Sequence, residues 1–253
     1  MEKNNFFLIT GVLVILFSQN LSGAEQDTLW VIDASRSSQE EILSRWKHIL
    51  PKKHRAYTNY SVEIDSKGPY LRALSSSTSS WLELEMGNID ITQYNTMAWM
   101  WMVNEFPKTT WEMNPPDDDF AIRIELVYDF KGGKKNILNI IRKGIITTIF
   151  KRYPPELIVS YVWSLNVPAE KPYQSPHSNR MMILPIESDV VMQGRWIHET
   201  RNIKEDLYTF KGEKNPLYLK KIRICSDTEN KPTVAESGIK YIYLLAEKET
   251  NSR

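Results

Sequence analysis

One cysteine, Cys225, stands among 253 residues, so the chain has no second thiol with which to close an intramolecular disulfide. An excess of charge of one sign is lacking too: 32 Lys and Arg face 31 Asp and Glu, a formal net charge of +1. Without a cationic surplus to neutralise phosphates, the composition argues against nucleic acid as a partner. After the first residues, no run approaches the roughly 20 apolar residues that a bilayer-spanning helix requires. Several chemical signatures are missing as well. There is no glycine-rich phosphate loop, no HExxH, no GxSxG elbow and no cysteine pair for zinc. The chain shows no repeat period, no βαβ alternation and no domain linker. What is present, 42% apolar and 11% aromatic residues, is the balance of an ordinary globular chain.

The N-terminus carries the clearest message. Lys3 precedes an uncharged, mostly apolar run from Phe6 to Phe17, and Ser22-Gly23-Ala24 supplies small residues where a signal peptidase reads them. This pattern predicts an export signal over 1–24, cleaved after Ala24, and a mature chain from Glu25 that is periplasmic or secreted. No membrane span is then expected in the mature protein, and 25–253 is expected to form one domain.

Residues 38–50 follow a helical period, with capping-box spacing from Ser37 to Glu40 and a stop at Pro51. Beyond them the period becomes two. Tyr60–Ile64, Tyr70–Leu74 and Trp81–Glu85 read as short strands. Thr96–Val103, Phe120–Phe130 and Leu157–Leu165 read as strands covered on both faces. Segment 131–155, bracketed by Gly132-Gly133 and Pro154-Pro155, reads as an inserted excursion. Further strands are expected at 181–186, 195–203, 217–225 and 238–245, with a helical turn near 204–211. The whole predicts a mainly β chain, an antiparallel sandwich with one N-terminal helix and short inserted helices.

Candidate ligand-binding residues fall on the central strands. Side chains two apart share a strand face, which pairs Trp99 with Trp101, Arg123 with Glu125 and Tyr161 with Trp163. If the three strands are neighbours, one face carries rings beside a charge pair, as a groove gripping hydroxylated sugar rings requires. Glu199 and Arg201 add a second charged pair, with Asp206 close behind, and His198 is the one histidine set among purposeful polar neighbours. Each group has a plain alternative. The rings can be core, and Arg123 can be one half of a structural ion pair. The acidic run ending in Asp118 and Asp119, with Asp227 from a late turn, is either a calcium site or a turn whose carboxylates accept backbone N–H bonds. Cys225 lies in a buried-looking strand and reads as a small core residue. No cofactor is otherwise expected.

Several blocks together resemble a known family. Trp99-Met100-Trp101-Met102-Val103, Asp118-Asp119-Phe120-Ala121-Ile122-Arg123 and Tyr161-Val162-Trp163 are followed by Gly194-Arg195-Trp196, Glu199-Thr200-Arg201-Asn202-Ile203 and Asp206-Leu207-Tyr208. In that order, over about 55–245, they resemble the bacterial domain-of-unknown-function family 3047. The resemblance implies an exported protein with a galactose-binding-like jelly roll, a fold that commonly binds carbohydrate, although fold alone does not settle function. The leading expectation is therefore a non-catalytic binding protein for a glycan or other polyhydroxylated ligand of the cell envelope. Two alternatives stand beside it. One is a glycan hydrolase working with carboxylates from Asp118, Asp119, Glu199 or Asp206. The other is a structural subunit that docks on another envelope protein.

Overall fold

The computed structural model describes residues 27–50, 56–108, 119–130, 157–165, 167–211, 217–229 and 232–246. The expected export signal, the 131–155 excursion and Asp118 lie outside them.

In chain order the elements are β1 (Thr28–Asp33), α1 (Gln39–Arg45), β2 (Lys47–Ile49), β3 (Asn59–Asp65), β4 (Gly68–Ser76), β5 (Ser79–Asp90) and β6 (Thr96–Glu105). They continue with β7 (Arg123–Phe130), β8 (Leu157–Trp163), β9 (Tyr173–Gln174), β10 (Met181–Glu187) and β11 (Ile197–Asn202). The helix α2 (Ile203–Lys211), β12 (Leu217–Asp227) and β13 (Val234–Leu245) complete the described chain. The strands form two sheets, so the protein is mainly β. The first sheet runs β11-β6-β13-β4-β3, with β1 also paired to β13; the second runs β2-β5-β12-β7-β8-β10-β9.

Alternation explains the layering. In β6, Met97, Trp99, Trp101 and Val103 point inward and are fully buried, while Met100 and Asn104 on the other face are half-exposed. All seven residues of β8 are buried, as a central strand with cover on both faces demands. The pairing is not wholly antiparallel as expected. β8 and β10 run parallel, joined by the connection that carries β9. Pro185 is tolerated in β10 because β9 pairs only with Met182 and Ile183, leaving no bond for the missing N–H to make on that side.

Helix α1 is shorter than its period suggested, and its cap is shifted by one residue. Ser38, not Ser37, is the N-cap: its backbone N–H donates to Glu41 Oε2 at 2.7 Å, and Glu41 N–H donates to Ser38 Oγ at 3.2 Å. The helix stops at Arg45 because Trp46 turns extended and Lys47–Ile49 pair with β5. Trp46 and Ile49 are apolar at positions that suit a helix and a strand alike, and tertiary pairing decides between them. Helix α2 starts directly after β11, where Asn202 Oδ1 accepts from Glu205 N–H at 3.1 Å, and it buries Ile203 and Leu207.

Candidate functional site

The four rings expected on a ligand face form the centre of the core. Trp99 and Trp101 project from β6 in the first sheet, Tyr161 and Trp163 from β8 in the second, and all four are buried. Trp99 stacks on Tyr161 with centroids 5.3 Å apart and planes 19° apart; Trp101 meets Trp163 at 6.0 Å. The single shared face is thereby corrected. β6 is not a neighbour of β7 or β8, because it lies in the opposite sheet.

Arg123 and Glu125 share a face with each other but not with Tyr161 and Trp163. The β7–β8 register sets Arg123 against Val162 and Ile124 against Tyr161, and directly opposed residues share a face. Parity along one strand is visible in sequence; register between strands is not. The pair therefore sits on the outward side of the second sheet, in a charge network. The Arg123 guanidinium bonds Asp227 and stands 3.9 Å from Glu125. Arg223 bridges Glu83 at 2.8 Å and Glu125 at 3.3 Å. Asp227 Oδ1 also accepts from Phe120 N–H at 3.2 Å. Asp119 is buried, and no group of three or more His, Cys, Asp or Glu stands ready for a metal among the described residues. Cys225 is a buried free thiol beside these charges, and burial pushes its pKa up.

Glu199 and Arg201 do share a strand face, and it points between the sheets at their open edge. In register they oppose Trp99 and Met97. Arg201 is fully engaged. It donates from Nε to Asp206 Oδ2 at 3.1 Å and from a terminal nitrogen to Oδ1 at 2.7 Å. Its other terminal nitrogen reaches both Glu170 oxygens at 2.9 Å. Tyr161 Oη donates to Asp206 Oδ2 at 2.8 Å, which ties β8 to α2. Glu199 faces Glu187 at the end of β10. Burial first, then the negative charge of Glu187 and a shared hydrogen bond with it, push the Glu199 carboxyl up to about 7. The Glu187 carboxyl rises as well, chiefly by burial. Trp101's indole N–H favours the charged Glu199 without completing a full hydrogen bond. Neither Trp101 Nε1 nor Glu199 Oε1 has a partner of good geometry among the described residues.

Rings do meet water on the outward face of the first sheet, where the sequence reading did not place a site. Trp30 on β1 is 38% exposed and lies opposite Tyr243 on β13, their rings 4.9 Å apart. Tyr241, two residues along, stacks against Tyr243 at 5.7 Å. His198 on β11 follows at 6.0 Å, and its Nδ1 shares a 2.9 Å hydrogen bond with the Tyr241 hydroxyl. His198 and Thr200 are exposed, and Tyr241 and Tyr243 half-exposed. Burial and the neighbouring Tyr243 push the Tyr241 phenol up. The floor beneath is the outward side of β6: Ala98 lies opposite Tyr243 and Thr200, and Met100 opposite Tyr241 and His198. Arg36, held 3.1 Å from Asp33, rests over the Trp30 ring at 5.4 Å with its side chain 73% exposed.

A second aromatic block closes this face towards β3. A Cβ on Gly238 would fall 2.7 Å from Tyr70 Cδ2 and 2.9 Å from Trp196 Cη2, so both rings lie directly on the glycine backbone. Trp196 Nε1 donates to Asp65 Oδ2 at 2.6 Å, and Lys240 Nζ stands 4.7 Å over its ring. Beyond it Arg72 grips Glu236 with two bonds of 3.0 Å. The signal that could have found the face was the Tyr241-Ile242-Tyr243-Leu244 alternation, which places two tyrosines away from a Leu/Ile core side.

The chain belongs to the family described as protein of unknown function (DUF3047), whose model matches residues 44–243. No curated protein is significantly similar to it in sequence. Among solved structures it is similar to a family 11 carbohydrate-binding module from Clostridium thermocellum in complex with a β-1,3-1,4-mixed-linked tetrasaccharide. The identity is 8%, the TM-score 0.42, and the match covers 86% of this chain and 94% of that one. It is also similar to the endoglucanase cel12A from Rhodothermus marinus, at 6% identity and TM-score 0.43 over 80% and 97% of the two chains. Likeness at that level assigns no residue here a role.

Proposed function

We propose that this is an exported, non-catalytic carbohydrate-binding protein of the cell envelope, and that its ligand face is the outward side of the first sheet. We read the sandwich as a galactose-binding-like jelly roll and 25–253 as one domain, delivered to the periplasm or the exterior by cleavage after Ala24. One observation carries the binding reading: the contiguous row Trp30, Tyr243, Tyr241 and His198 presents its rings to water over an uncharged floor. The ring surface left exposed by these mutual contacts, and by Arg36 over Trp30, offers apolar area to the C–H side of a sugar, while the polar tips and the Thr200 hydroxyl offer hydrogen bonds to its rim. The reading needs no cofactor and no nucleic acid. No helix among the described residues is long and apolar enough to cross a membrane.

The hydrolase alternative has less support. Both Asp206 oxygens are occupied by Arg201 and Tyr161. Glu199 and Glu187 are in mutual contact, whereas two glycosidase carboxyls stand at least about 5 Å apart with the scissile bond between them. Titration of intrinsic tryptophan fluorescence with a broad panel of glycans tests the proposal. A saturable response, weakened for the longer glycans in Trp30→Ala with the melting temperature kept, is the expected result. Silence across the panel, or release of reducing ends on incubation, counts against it.

A further inference from the structure

The outward face of the first sheet holds more than a generic sugar platform, and this step rests on the carbohydrate-binding reading above. We infer that the face takes an unbranched, uncharged glycan chain laid across the strands from Trp30 to His198, gripped along its length and not by its end.

The row is continuous. Its successive ring centroids are 4.9, 5.7 and 6.0 Å apart, which is about the length of one hexopyranose unit per step. In the register it is stepped by one two-residue stride along β13, so it crosses the sheet obliquely. Trp30 stands opposite Tyr243, Tyr241 follows on the same strand face, and His198 shares the Met100 row with Tyr241. Tyr241 and His198 lie on strands separated by β6, yet their rings lean together over Met100, so no gap interrupts the track.

Both ends are open. Among the described residues β1 pairs only with β13, and β11 only with β6, so the row runs from one margin of this part of the sheet to the other. A site for a chain terminus needs a wall that stops the chain; a row that reaches both margins lets the chain run off each end. The built block of Trp196 with Tyr70 lies beside the row and would set its width, not its length.

Charge decides the ligand class. The cations named beside the rings each have a carboxylate partner: Lys240 has Asp65 at 3.1 Å, Arg72 has Glu236 through two bonds of 3.0 Å, and the exposed Arg36 has Asp33 at 3.1 Å through its Nε. A uronic acid therefore gains little from its charge here, because these cations already have carboxylate partners, while a neutral sugar needs no cation. A docked protein surface is the competing occupant, and the same closed pairs give it little to complement beyond apolar contact.

Isothermal titration with ladders of cello-, xylo- and manno-oligosaccharides, from the monosaccharide upward, tests this on the full mature chain, with oligogalacturonates as the charged counterpart. Affinity in at least one neutral ladder should rise by about tenfold or more with length until each ring has its sugar unit, then level off. Oligogalacturonates of the same length should bind at least about tenfold more weakly. In Trp30→Ala, the gain from the longest oligomers should disappear while short ones keep their affinity. A monosaccharide that binds as well as any oligomer, or a uronate that binds as well as the neutral chain, would overturn the inference while leaving carbohydrate binding intact. Failure of every saccharide would overturn both. So would a concentration-dependent dimer, seen by light scattering, that Trp30→Ala abolishes while all saccharides stay silent.

Discussion

Trp99 in one sheet and Tyr161 in the other lie ring against ring, 5.3 Å apart and within 19° of parallel, in the middle of the molecule. The contact joins the two layers at the point where each is fully buried. Tyr161 then passes the connection outward, because its hydroxyl donates to Asp206, which Arg201 holds in turn. Trp99→Ala should therefore destabilise the fold by about 3–5 kcal/mol, as expected for truncating a buried aromatic. Urea unfolding of the variant checks this; a midpoint near that of the parent would contradict the core assignment.

Arg123 is the residue for which a ligand role and a structural role predict opposite results. Its side chain is 14% exposed, and its partners Asp227 and Glu125 are buried more deeply still. Removing it takes the guanidinium from Asp227 in a poorly solvated network, while Glu125 keeps Arg223 at 3.3 Å. Arg123→Ala should cost about 3–5 kcal/mol of stability. Glycan affinity of the folded fraction should be unchanged, because Arg123 lies on the second sheet and the ring row on the first. Thermal melts paired with saccharide titrations below the transition separate the two effects.

The Glu199 carboxyl keeps its proton to about pH 7 in the folded protein, against 4.5 as its ordinary value. Between those limits the folded chain binds the extra proton and the unfolded chain does not. Stability from this group is fully present below about pH 4.5 and is lost as pH rises through about 7, staying level above. Glu199→Gln keeps the size and the neutral state and should flatten that slope. A series of urea midpoints from pH 4 to pH 8 measures it; equal slopes in parent and variant would show that the proton is held elsewhere.

Gly238 is a steric prediction. Alanine there would press its Cβ into Tyr70 at 2.7 Å and Trp196 at 2.9 Å. Trp196 has no free path away, since Asp65 bonds its indole and Lys240 covers its ring. Gly238→Ala should cost about 1–3 kcal/mol, the range for overpacking, and shift the tryptophan emission. An unaltered melt would mean that the two rings relax without strain.

Much of the fold was legible in the sequence because period-two alternation is a local property. The strands expected at 96–103, 157–165, 181–186, 217–225 and 238–245 correspond to β6, β8, β10, β12 and β13 with shifts of a few residues at their ends. The helix expected near 204–211 is α2. The short strands β1, β2 and β9 were missed, and Lys47–Ile49 went to the wrong element, because so few residues carry no period of their own.

The site divides in the same way. The sequence by itself determined which residues are rings, which charges alternate with apolar neighbours, and that the aromatics concentrate on strands. It also determined that Cys225 has no partner and that no charge surplus exists. Only the tertiary structure decided which rings meet water. Trp99, Trp101, Tyr161 and Trp163 became core because β6 and β8 fall in opposite sheets, a choice fixed by pairing between segments far apart in the chain. Trp30, Tyr241, Tyr243 and His198 became a surface row because β1, near the beginning of the described chain, pairs with β13 at its end. Alternation assigns each side chain to one of two faces. Which face is turned to solvent depends on the sheet packed against the other, and no local pattern contains that information.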